Sequence, residues 1–399
     1  MQLRPYQQDA VDSAVAWMRK STEPALLELA TGAGKSWIAA AIALWITKKT
    51  SKKVLVLQPS RELTQQNYEK YLATGEKASI FSASANSKCT RHNVVYATPK
   101  TVLNSISRFG DAFACVIVDE AHMTTPTIKQ IIAHIASKNP MLRVIGMTAT
   151  PYRLGTGYIY QYDATGEKVS KLDTDETIDA YYHSLLYKIN TRTLIDMGFL
   201  TNAHTDNTAL HYDTDNLTIN KMGQFDARQI EQAFEGQGRL TSQIVSDVVQ
   251  HAQWRKGVML FASTVQHAKE ILDSLPPDNS RMIGGEVNMA KVERETLIND
   301  FKQQRFKYIV SVGTLTTGFD APHVDTIAVL RATESASLFQ QIIGRGLRLH
   351  PDKTDCLVLD YASNIERHKL QDDIFEPTIK TYKAKTSSTV EANCPYCDF

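Results

Sequence analysis

The sequence predicts an α/β protein built from two tandem, doubly wound lobes, each with a parallel sheet at its centre. Short apolar runs alternate with helical patterns, which is typical of a parallel sheet flanked by helices. The alternation occurs twice, over residues 1–151 and 206–362, with an irregular stretch between them. The chain has 399 residues, of which 43% are hydrophobic, so it can bury the cores of two or three domains.

The first lobe is predicted from apolar runs that are candidate strands. They occupy residues 25–29, 54–57, 94–97, 113–118 and 144–147. An opening helix precedes them, because apolar residues recur at i, i+3, i+4 and i+7 from Val11 to Met18, and Pro5 suits a first helical turn.

The second lobe is predicted from a similar series of runs. The candidate strands are 258–262, 308–312, 326–330 and 356–359, and the clearest helical segments are 265–275 and 289–303. Residues 152–205 are rich in Tyr, Thr, Asp and Gly without a clear period, so we expect an insertion plus a connector there. From residue 363 to 399 the chain is polar and charged, which indicates a linker.

The charge balance argues against some classes of protein. Lys and Arg number 44 and Asp and Glu 43, for a net charge of +1. This argues against a basic tail or a membrane-surface role but leaves room for a local basic groove. The longest apolar run, 37–46, is too short to cross a bilayer, and no apolar signal segment opens the chain. We expect a soluble, cytoplasmic protein with no membrane partner, and we take it to be a monomer.

A glycine-rich loop over residues 30–36 follows a predicted strand and opens a helix. Its glycines allow backbone N–H groups to approach phosphates, Lys35 can reach the β- and γ-phosphates, and Ser36 can hold Mg²⁺. The general pattern has glycine where Leu29 stands. The alternative is a turn with an incidental lysine, but the strand–loop–helix context favours nucleotide binding. The candidate contacts are Thr31, Gly32, Ala33, Gly34, Lys35 and Ser36.

Two acidic residues, Asp119 and Glu120, follow the apolar run 113–118. Ligands bind outside the carboxyl ends of strands in open α/β sheets. Asp119 would then face Mg²⁺, and Glu120 would orient or deprotonate the attacking water. Two acids after a strand are more often a solvated loop, but the phosphate loop makes the catalytic interpretation stronger.

An arginine-bearing helix is predicted in the second lobe. Gln341, Arg345 and Arg348 are spaced at i, i+4 and i+7, so one helix face would carry all three. Such arginines are often ordinary solvated charges. This lobe has no phosphate loop of its own, so donation across a cleft to a transferring phosphoryl group is their simplest use.

In their order along the chain, these and further motifs resemble those of superfamily 2 helicases. The motifs are Arg4-Pro5-Tyr6-Gln7, Gly34-Lys35-Ser36, Asp119-Glu120-Ala121-His122, Thr148-Ala149-Thr150-Pro151, Gly318-Phe319-Asp320-Ala321-Pro322, and Gln341 through Arg348. The resemblance covers residues 3 to about 360. It implies two RecA-like lobes that bind ATP and Mg²⁺ in the cleft between them.

More narrowly, the chain resembles the RadD (YejH) group of bacterial DNA-repair helicases. The segments that carry this resemblance are 3–8, 256–259, 267–271, 315–325, 344–349 and 394–397. One departure is Ala121, where that group has cysteine, and the roles of Asp119 and Glu120 should not depend on it. The resemblance implies DNA repair or recombination, with single-strand-binding protein and RecA recombinase as partners.

The resemblance also implies roles for residues near the nucleotide. Gln7 resembles the adenine-reading glutamine, with Arg4 and Tyr6 near the base, and its alternative is a plain surface position. Gly318 and Asp320 resemble residues that face the ribose and γ-phosphate from the second lobe, and their alternative is an ordinary turn.

Thr148 and Thr150 resemble the motif that couples hydrolysis to movement. Their alternative is a local turn or helix cap before Pro151.

Contacts to a nucleic-acid backbone are implied at motifs that follow predicted strands. The residues are Ser60, Arg61, Thr98, Pro99 and Thr264. Ser60 and Thr98 could equally be N-caps of the helices that follow them. Contacts of this kind position a strand without reading its sequence.

The five cysteines do not suggest a disulfide framework. Cys115 and Cys356 lie in or beside apolar runs and are expected in the core, while Cys89 is expected at the surface. Cys394 and Cys397 resemble the start of a zinc-binding segment. A structural zinc needs four ligands, so we expect a longer form of the protein to supply more.

We therefore expect an ATP-dependent DNA helicase or translocase, with ATP hydrolysis stimulated by DNA. Three alternatives stay open: a translocase subunit of a restriction or defence system, an RNA helicase, and a non-enzymatic clamp with a decayed ATP site. No nuclease-like cluster is evident outside the motor, which ranks the restriction subunit second. An ATPase assay with and without DNA separates a motor from a clamp.

Overall fold

The structure is a computed structural model. It describes residues 2–153, 157–169, 180–206, 208–220, 224–284, 291–313, 319, 321–368, 370 and 373–375. Two large sheets, one in each half of the chain, organise these residues.

The first sheet is parallel apart from one edge strand. The strands in this half are β1 Ala25–Leu29, β2 Lys53–Leu57, β3 Ala78–Ser82, β4 Ser87–Lys88, β5 Val94–Ala97, β6 Phe113–Asp119, β7 Arg143–Thr148, β8 Tyr152–Arg153, β9 Gly157–Tyr158, β10 Tyr160–Tyr162 and β11 Tyr182–Ile189. Within the described residues the sheet order is β10-β11-β1-β7-β6-β2-β5-β3-β4, with only β4 antiparallel to its neighbour. The short β8 and β9 form a separate antiparallel pair.

Helices cover both faces of this sheet. They are α1 Pro5–Lys20, α2 Lys35–Lys49, α3 Arg61–Leu72, α4 Pro99–Leu103, α5 Pro126–Lys138 and α6 Thr191–Asp196, with 3-10 turns at Ile106–Arg108 and Ala121–Met123. Successive side chains of β2 point to opposite faces: Val54 and Val56 pack in the cluster that contains α1 and α2, and Leu55 packs in the cluster that contains α5. Burial on both faces explains why these strands appear in the sequence as continuous apolar runs.

The second sheet is parallel throughout its described strands. These are β12 Ala203–Thr205, β13 Gly257–Ala262, β14 Ser280–Gly284, β15 Tyr308–Val312, β16 Val324–Leu330 and β17 Cys356–Asp360, in the order β12-β17-β16-β13-β15-β14. The helices are α7 Ala227–Phe234, α8 Gly238–His251, α9 Val265–Ser274, α10 Lys291–Lys302, α11 Ala336–Ile343 and α12 Asn364–Arg367, with 3-10 turns at Pro277–Asn279 and Gly344–Gly346. The predicted fold class, two tandem RecA-like parallel-sheet lobes, is confirmed.

The structure corrects the expectation for residues 152–205. Strand β11 lies between β10 and β1 and is a full member of the first sheet, while β12 pairs with β17 of the second. The segment is therefore divided between the lobes. The sequence did not predict β11, because this strand is only partly buried and mixes Tyr, His, Ser and Lys with its apolar residues. No continuous apolar run therefore marks it.

The described cysteines differ in their burial. Cys115 and Cys356 are buried as predicted, and Cys89 is half-buried.

Across the described ranges, no helix combines the length and the apolar character needed to cross a membrane.

Candidate active site

A cavity of about 520 Å³ lies at the carboxyl end of the first sheet and is lined by both lobes. It brings together most of the residues that the sequence singled out for nucleotide chemistry. Those lining it are Arg4, Gln7, Thr31, Gly32, Gly34, Lys35, Ser36, Asp119, Glu120, Arg345 and Arg348. Residues far apart in the chain thus share one site, at the place where open α/β sheets bind ligands.

The glycine-rich loop joins the end of β1 to the start of α2. Gly32 and Gly34 have φ values of +89° and +82°, a region that favours glycine. A Cβ on Gly34 would overlap the amide nitrogen of Gln7. The backbone at this position therefore requires glycine for two independent reasons.

The first helix holds this loop through its own polar side chains. Gln7 Nε2 donates to the carbonyl of Ala33 at 2.9 Å, and Tyr6 Oη donates to the same oxygen at 3.0 Å. Gln7 is only 5% exposed, so it is not a plain surface residue of α1. Its Oε1 accepts from the backbone N–H of Arg4 at 3.0 Å, which fixes the orientation of the amide.

An aromatic residue that sequence reasoning missed lies beside this group. Phe199 lines the cavity, and its ring centre is 5.1 Å from that of Tyr6. The guanidinium carbon of Arg4 lies 4.7 Å from the ring centre of Phe199. Phe199 and Arg4 together can offer a flat apolar and cationic surface to a nucleobase. Phe199 stands in the irregular stretch between the lobes, where no motif marks it.

The carboxylate of Asp119 is buried at the end of β6. Its Oδ1 accepts from the backbone N–H of Glu120 at 3.0 Å, and its Oδ2 accepts from Asn67 Nδ2 at 3.2 Å. Asn67 Oδ1 accepts from Ser36 Oγ at 2.5 Å, so this amide links the two predicted Mg²⁺ ligands. A hydroxyl and a carboxylate held this way suit a hard cation such as Mg²⁺. Asn67 was also missed, because nothing local distinguishes it within α3.

Burial and the neighbouring Glu120 raise the pKa of Asp119 to about 6. A bound cation would favour the ionised form. The backbone hydrogen bond from Glu120 and the amide of Asn67 already favour it in part.

Glu120 sits in the left-handed region, with φ 49° and ψ 55°, just before the 3-10 turn Ala121–Met123. Its Oε1 lies 3.7 Å from Lys35 Nζ and its Oε2 lies 3.5 Å from His122 Nδ1. Burial alone would raise the pKa of Glu120, but Lys35, His122 and Arg345 together lower it. The residue is therefore held ionised, which its predicted role as a base requires.

His122 connects the acidic pair to the threonines at the end of β7. Its Nδ1 lies 2.8 Å from Thr148 Oγ1 and 3.4 Å from Thr150 Oγ1. Thr150 also donates its backbone N–H to Thr148 Oγ1 at 3.0 Å, which is the local turn that the alternative interpretation expects. The contacts from His122 to the two threonines and the local turn between these threonines are therefore present together.

The predicted arginine helix is wrong in one respect. Helix α11 ends at Ile343, and Arg345 belongs to the following 3-10 turn, Gly344–Gly346. The spacing i, i+4, i+7 therefore does not put Gln341 and the arginines on one α-helical face; Gln341 is buried within α11 and does not line the cavity. The helix stops at paired glycines that pack closely: a Cβ on Gly346 would overlap Cys356.

Arg345 and Arg348 nevertheless both reach the cavity. Arg345 Nη1 donates to the carbonyl of Phe319 at 2.9 Å. Burial lowers the pKa of each guanidinium to about 10, so both stay charged at neutral pH. The buried Arg345 and the half-buried Arg348 of the second lobe thus face the phosphate loop and the acidic pair of the first.

Two further residues hold the loop that carries these arginines. Lys353 Nζ donates to the carbonyls of Val324 at 2.6 Å and Arg348 at 3.0 Å, and also to that of Gly346. Thr201, just before β12, donates its Oγ1 to the Arg348 carbonyl at 3.2 Å. Sequence motifs did not identify either residue.

The candidate nucleic-acid contacts lie at the starts of helices that follow β2, β5 and β13. Ser60 caps α3 by accepting from the N–H of Leu63 at 3.2 Å, and Arg61 is the first residue of that helix. Thr264 caps α9 and donates to Glu235 Oε1 at 2.5 Å.

Thr98 is the N-cap residue of α4, and its Oγ1 donates to Ser82 Oγ at 3.1 Å; Pro99 opens the helix. The capping alternative therefore describes Ser60, whereas Thr98 makes no side-chain capping hydrogen bond. Thr264 also caps its helix, a role that was not predicted from the sequence. Contact with a strand stays a prediction for all five residues.

Four predicted site residues, Gly318, Asp320, Cys394 and Cys397, lie outside the described residues. Within the ranges that are described, no group of three or more His, Cys, Asp or Glu side chains is arranged to hold a metal ion.

The two RecA-like sheets, the phosphate loop, the acidic pair and the facing arginines are typical of the two-lobed motor core of superfamily 2 helicases. Family models agree in both halves. Residues 1–153 match the type III restriction enzyme res subunit, and residues 240–350 match the helicase conserved C-terminal domain.

Among curated proteins, the chain is similar to irc3 of Schizosaccharomyces pombe, a candidate mitochondrial ATP-dependent helicase. The identity is 26% over 384 residues, which cover 94% of this chain and 59% of irc3. The ATP-dependent DNA helicase uvsW of Enterobacteria phage T4 is 24% identical over 89% of this chain and 67% of its own. The chain thus spans little more than half of irc3. These relatives support the superfamily and not the narrower RadD group.

Among solved structures, a fragment of a candidate HsdR subunit of a type I restriction enzyme from Vibrio vulnificus YJ016 shares the fold. Its TM-score is 0.69 at 21% identity, covering 94% of this chain and 67% of that one. The restriction-modification enzyme LlaBIII bound to DNA gives 0.64 at 17% identity, covering 91% of this chain and 28% of its own.

Proposed function

We propose that the chain is a DNA-stimulated ATPase that works as a DNA helicase or translocase. One observation carries the proposal: Lys35 and Glu120 from the first lobe share a single cavity with Arg345 and Arg348 from the second. Phosphoryl transfer is catalysed mainly by positioned charge, and this cavity supplies it from both sides.

Each charged side chain has a distinct task in this proposal. Lys35 binds the β- and γ-phosphates, and Glu120 orients the attacking water and accepts its proton. Ser36 and Asp119 hold Mg²⁺, which when bound neutralises phosphate charge. The arginines stabilise the charge that develops on the transferred group, with Arg348 as the candidate finger. Gln341, being buried in α11, acts through the position of the loop that follows it.

The base and the sugar are assigned to other residues. Gln7 reads the adenine edge, while Arg4 and Tyr6 act with Phe199 as its platform. Fixed aromatic and cationic surfaces of this kind stabilise a flat base without large entropy losses. By the family resemblance, Gly318 and Asp320 approach the ribose and γ-phosphate.

Movement follows from the division of the site between two lobes. Closure on ATP and opening after hydrolysis would shift the lobes relative to each other along a bound strand. The link from Glu120 through His122 to Thr148 and Thr150 supports a role for these threonines in coupling. The strand contacts are Ser60, Arg61, Thr98, Pro99 and Thr264.

The test is an ATPase assay with single-stranded, double-stranded and forked DNA and with RNA of matched length. We expect turnover to rise with DNA. Stimulation by RNA alone would favour the RNA-helicase alternative. ATP binding without turnover on any substrate would favour the clamp.

A restriction-type translocase is the second candidate, favoured by the HsdR and LlaBIII structures and by 22% identity to a subunit of the EcoAI endonuclease of Escherichia coli. It predicts stimulation mainly by double-stranded DNA and displacement of a third strand without separation of the duplex. A triplex-displacement assay beside a fork-unwinding assay distinguishes the two candidates.

The narrower assignment to RadD-type DNA repair rests on the resemblance of the motifs alone. It proposes a bacterial cytoplasmic protein that works with single-strand-binding protein and RecA recombinase. It also proposes that Cys394 and Cys397 supply two of four zinc ligands. Metal analysis of the purified protein tests the zinc site, and the absence of bound zinc would remove it.

A further inference from the structure

One face of α3 borders the nucleotide cavity, and it carries a cation that the proposed function does not use. The cavity-lining residues of this helix are Leu63, Gln66 and Lys70, followed by Ala73 at its end. Their spacing of three, four and three residues places them on one side of the helix. Lys70 is therefore directed to the space that holds the arginines and the phosphate loop.

The surroundings of Lys70 are mostly cationic. Arg348 and Arg345 from the second lobe and Lys302 at the end of α10 act on it as like charges, and Asp119 is the acidic group that faces it. Burial, then Arg348, lower the pKa of Lys70 to about 8. Among the described residues, its ammonium has no hydrogen bond and no ion pair.

A half-buried ammonium among like charges is costly unless an anion neutralises it. Asp119 does not suffice, since it is shared with Asn67 and with the predicted cation site. The cavity has room for a larger anion, and Lys35 and both arginines face the same space. Four cations around one cavity match the charge of a nucleoside triphosphate better than that of any single carboxylate.

We propose that Lys70 is a further phosphate-binding residue of the nucleotide site, contributed by α3. The proposal rests on the proposed function, because it takes the cavity to be the ATP site. In this proposal α3 is linked to the bound nucleotide at two points. Asn67 contacts the predicted Mg²⁺ ligands, and Lys70 contacts the phosphates. The same helix begins at Ser60 and Arg61, the candidate strand contacts, so nucleotide and strand would act on one rigid element.

Proton uptake follows from this arrangement. Without nucleotide, the lowered pKa leaves Lys70 partly deprotonated above pH 8. A phosphate beside it favours the charged form and raises the pKa, so binding at pH 8.5 should take up roughly half a proton or more. At pH 7 the lysine is charged in both states and uptake should be near zero.

The experiment is titration calorimetry with a non-hydrolysable Mg²⁺–ATP analogue at pH 7.0 and 8.5, in two buffers of different ionisation enthalpy. The proteins are the wild type, Lys70→Met, Lys70→Arg and the control Lys77→Met, which removes an exposed lysine just beyond the same helix. Lys70→Gln is the second neutral variant, and melting temperatures confirm that each protein is folded.

We expect Lys70→Met to weaken binding by about 10- to 100-fold, the range for a charge-assisted hydrogen bond, and to abolish uptake at pH 8.5. Lys70→Arg should keep most of the affinity but show no uptake, because arginine does not titrate there. Lys77→Met should match the wild type. Wild-type affinity in Lys70→Met, or weakened affinity with uptake intact, overturns the inference. A wild type that binds no nucleotide would instead remove the proposed function itself.

Discussion

At the residue scale, the proposed chemistry centres on Glu120 and its two basic neighbours. Its left-handed backbone directs the carboxylate between Lys35 and His122 rather than into solvent. Such a conformation is unfavourable for a residue other than glycine and persists only where the surroundings hold it. Here the ion pair with Lys35, the contact with His122 and the N–H bond to Asp119 hold it.

Glu120→Gln should leave ATP bound and stall hydrolysis. The amide keeps the shape of the side chain but cannot accept a proton, so turnover should fall by about 10²- to 10⁴-fold while affinity changes little. Pre-steady-state phosphate release and analogue binding measure the two quantities separately. A collapse of affinity together with turnover would show that Glu120 is structural.

Lys35→Ala should abolish hydrolysis, because it removes the cation of the phosphate loop. It also releases Glu120 from its 3.7 Å ion pair, so burial should raise the pKa of that carboxyl. Steady-state phosphate release is the measurement, with circular dichroism as the folding control. Normal turnover in this variant would refute the phosphate-loop assignment.

At the scale of elements, the loop after α11 is the part that one lobe presents to the other. The loop begins at Gly344, after the end of the helix. Its carbonyls accept hydrogen bonds from Lys353 of the same lobe and from Thr201 of the chain between the lobes. The position of Arg348 is thus set by the connector as well as by its own lobe. A change in the relative orientation of the lobes would therefore change the position of this arginine directly.

Arg348→Ala should leave ATP binding nearly intact and reduce hydrolysis steeply, since arginine fingers contribute about 10³- to 10⁵-fold to rate. Arg348→Lys should not restore it fully, because an ammonium cannot reproduce the planar fork. DNA stimulation should vanish in both variants. The measurement is the ATPase rate with and without single-stranded DNA, alongside melting temperature. A stable variant with unchanged stimulated turnover would exclude Arg348 as the finger.

Lys353→Met should destabilise the second lobe and misplace the finger. The carbonyls of Val324 and Gly346 would lose this donor, and that of Arg348 would keep only Thr201. We expect a cost of about 1–3 kcal/mol in the free energy of unfolding. Denaturant unfolding and the ATPase rate measure the two effects, with the exposed Lys269→Met as the control. Lost stability with full DNA-stimulated turnover would show that Lys353 does not position Arg348.

At the scale of the whole molecule, the two lobes meet closely at the site itself. A Cβ on Gly344 would come within 2.5 Å of Thr31 Cγ2 in the phosphate loop. This glycine therefore allows the arginine loop to pack against the loop that binds phosphates. We therefore expect closure of the cleft to depend on the absence of a side chain at this position.

Gly344→Ala should hinder closure of the cleft without unfolding either lobe. We expect reduced DNA-stimulated turnover and a larger radius of gyration in the presence of an ATP analogue, measured by small-angle scattering. Gly238→Ala is the matched control, because a Cβ there meets nothing within 4 Å. Unchanged scattering and turnover in Gly344→Ala would mean that Thr31 moves aside at little cost.

Sequence patterns predicted most of the first sheet and most of the second, since strands buried on both faces are continuous apolar runs. They missed β3, β4, β10 and β11 of the first sheet and β12 and β14 of the second. In β11 the Tyr, His and Lys side chains break the apolar run. They also extended α11 through Arg348, although the helix ends at Ile343. Residue spacing alone does not show that the closely packed Gly344 and Gly346 form a 3-10 turn there.

The sequence by itself determined the fold class and the nucleotide motifs, because glycine loops, paired acids and apolar runs are local features that a short window contains. Only the tertiary structure decided that Asn67, Lys70, Phe199, Thr201 and Lys353 belong to the same site. Their roles depend on contacts between residues distant in the chain. No local pattern encodes such contacts, because they exist only once two sheets and their connector have packed together.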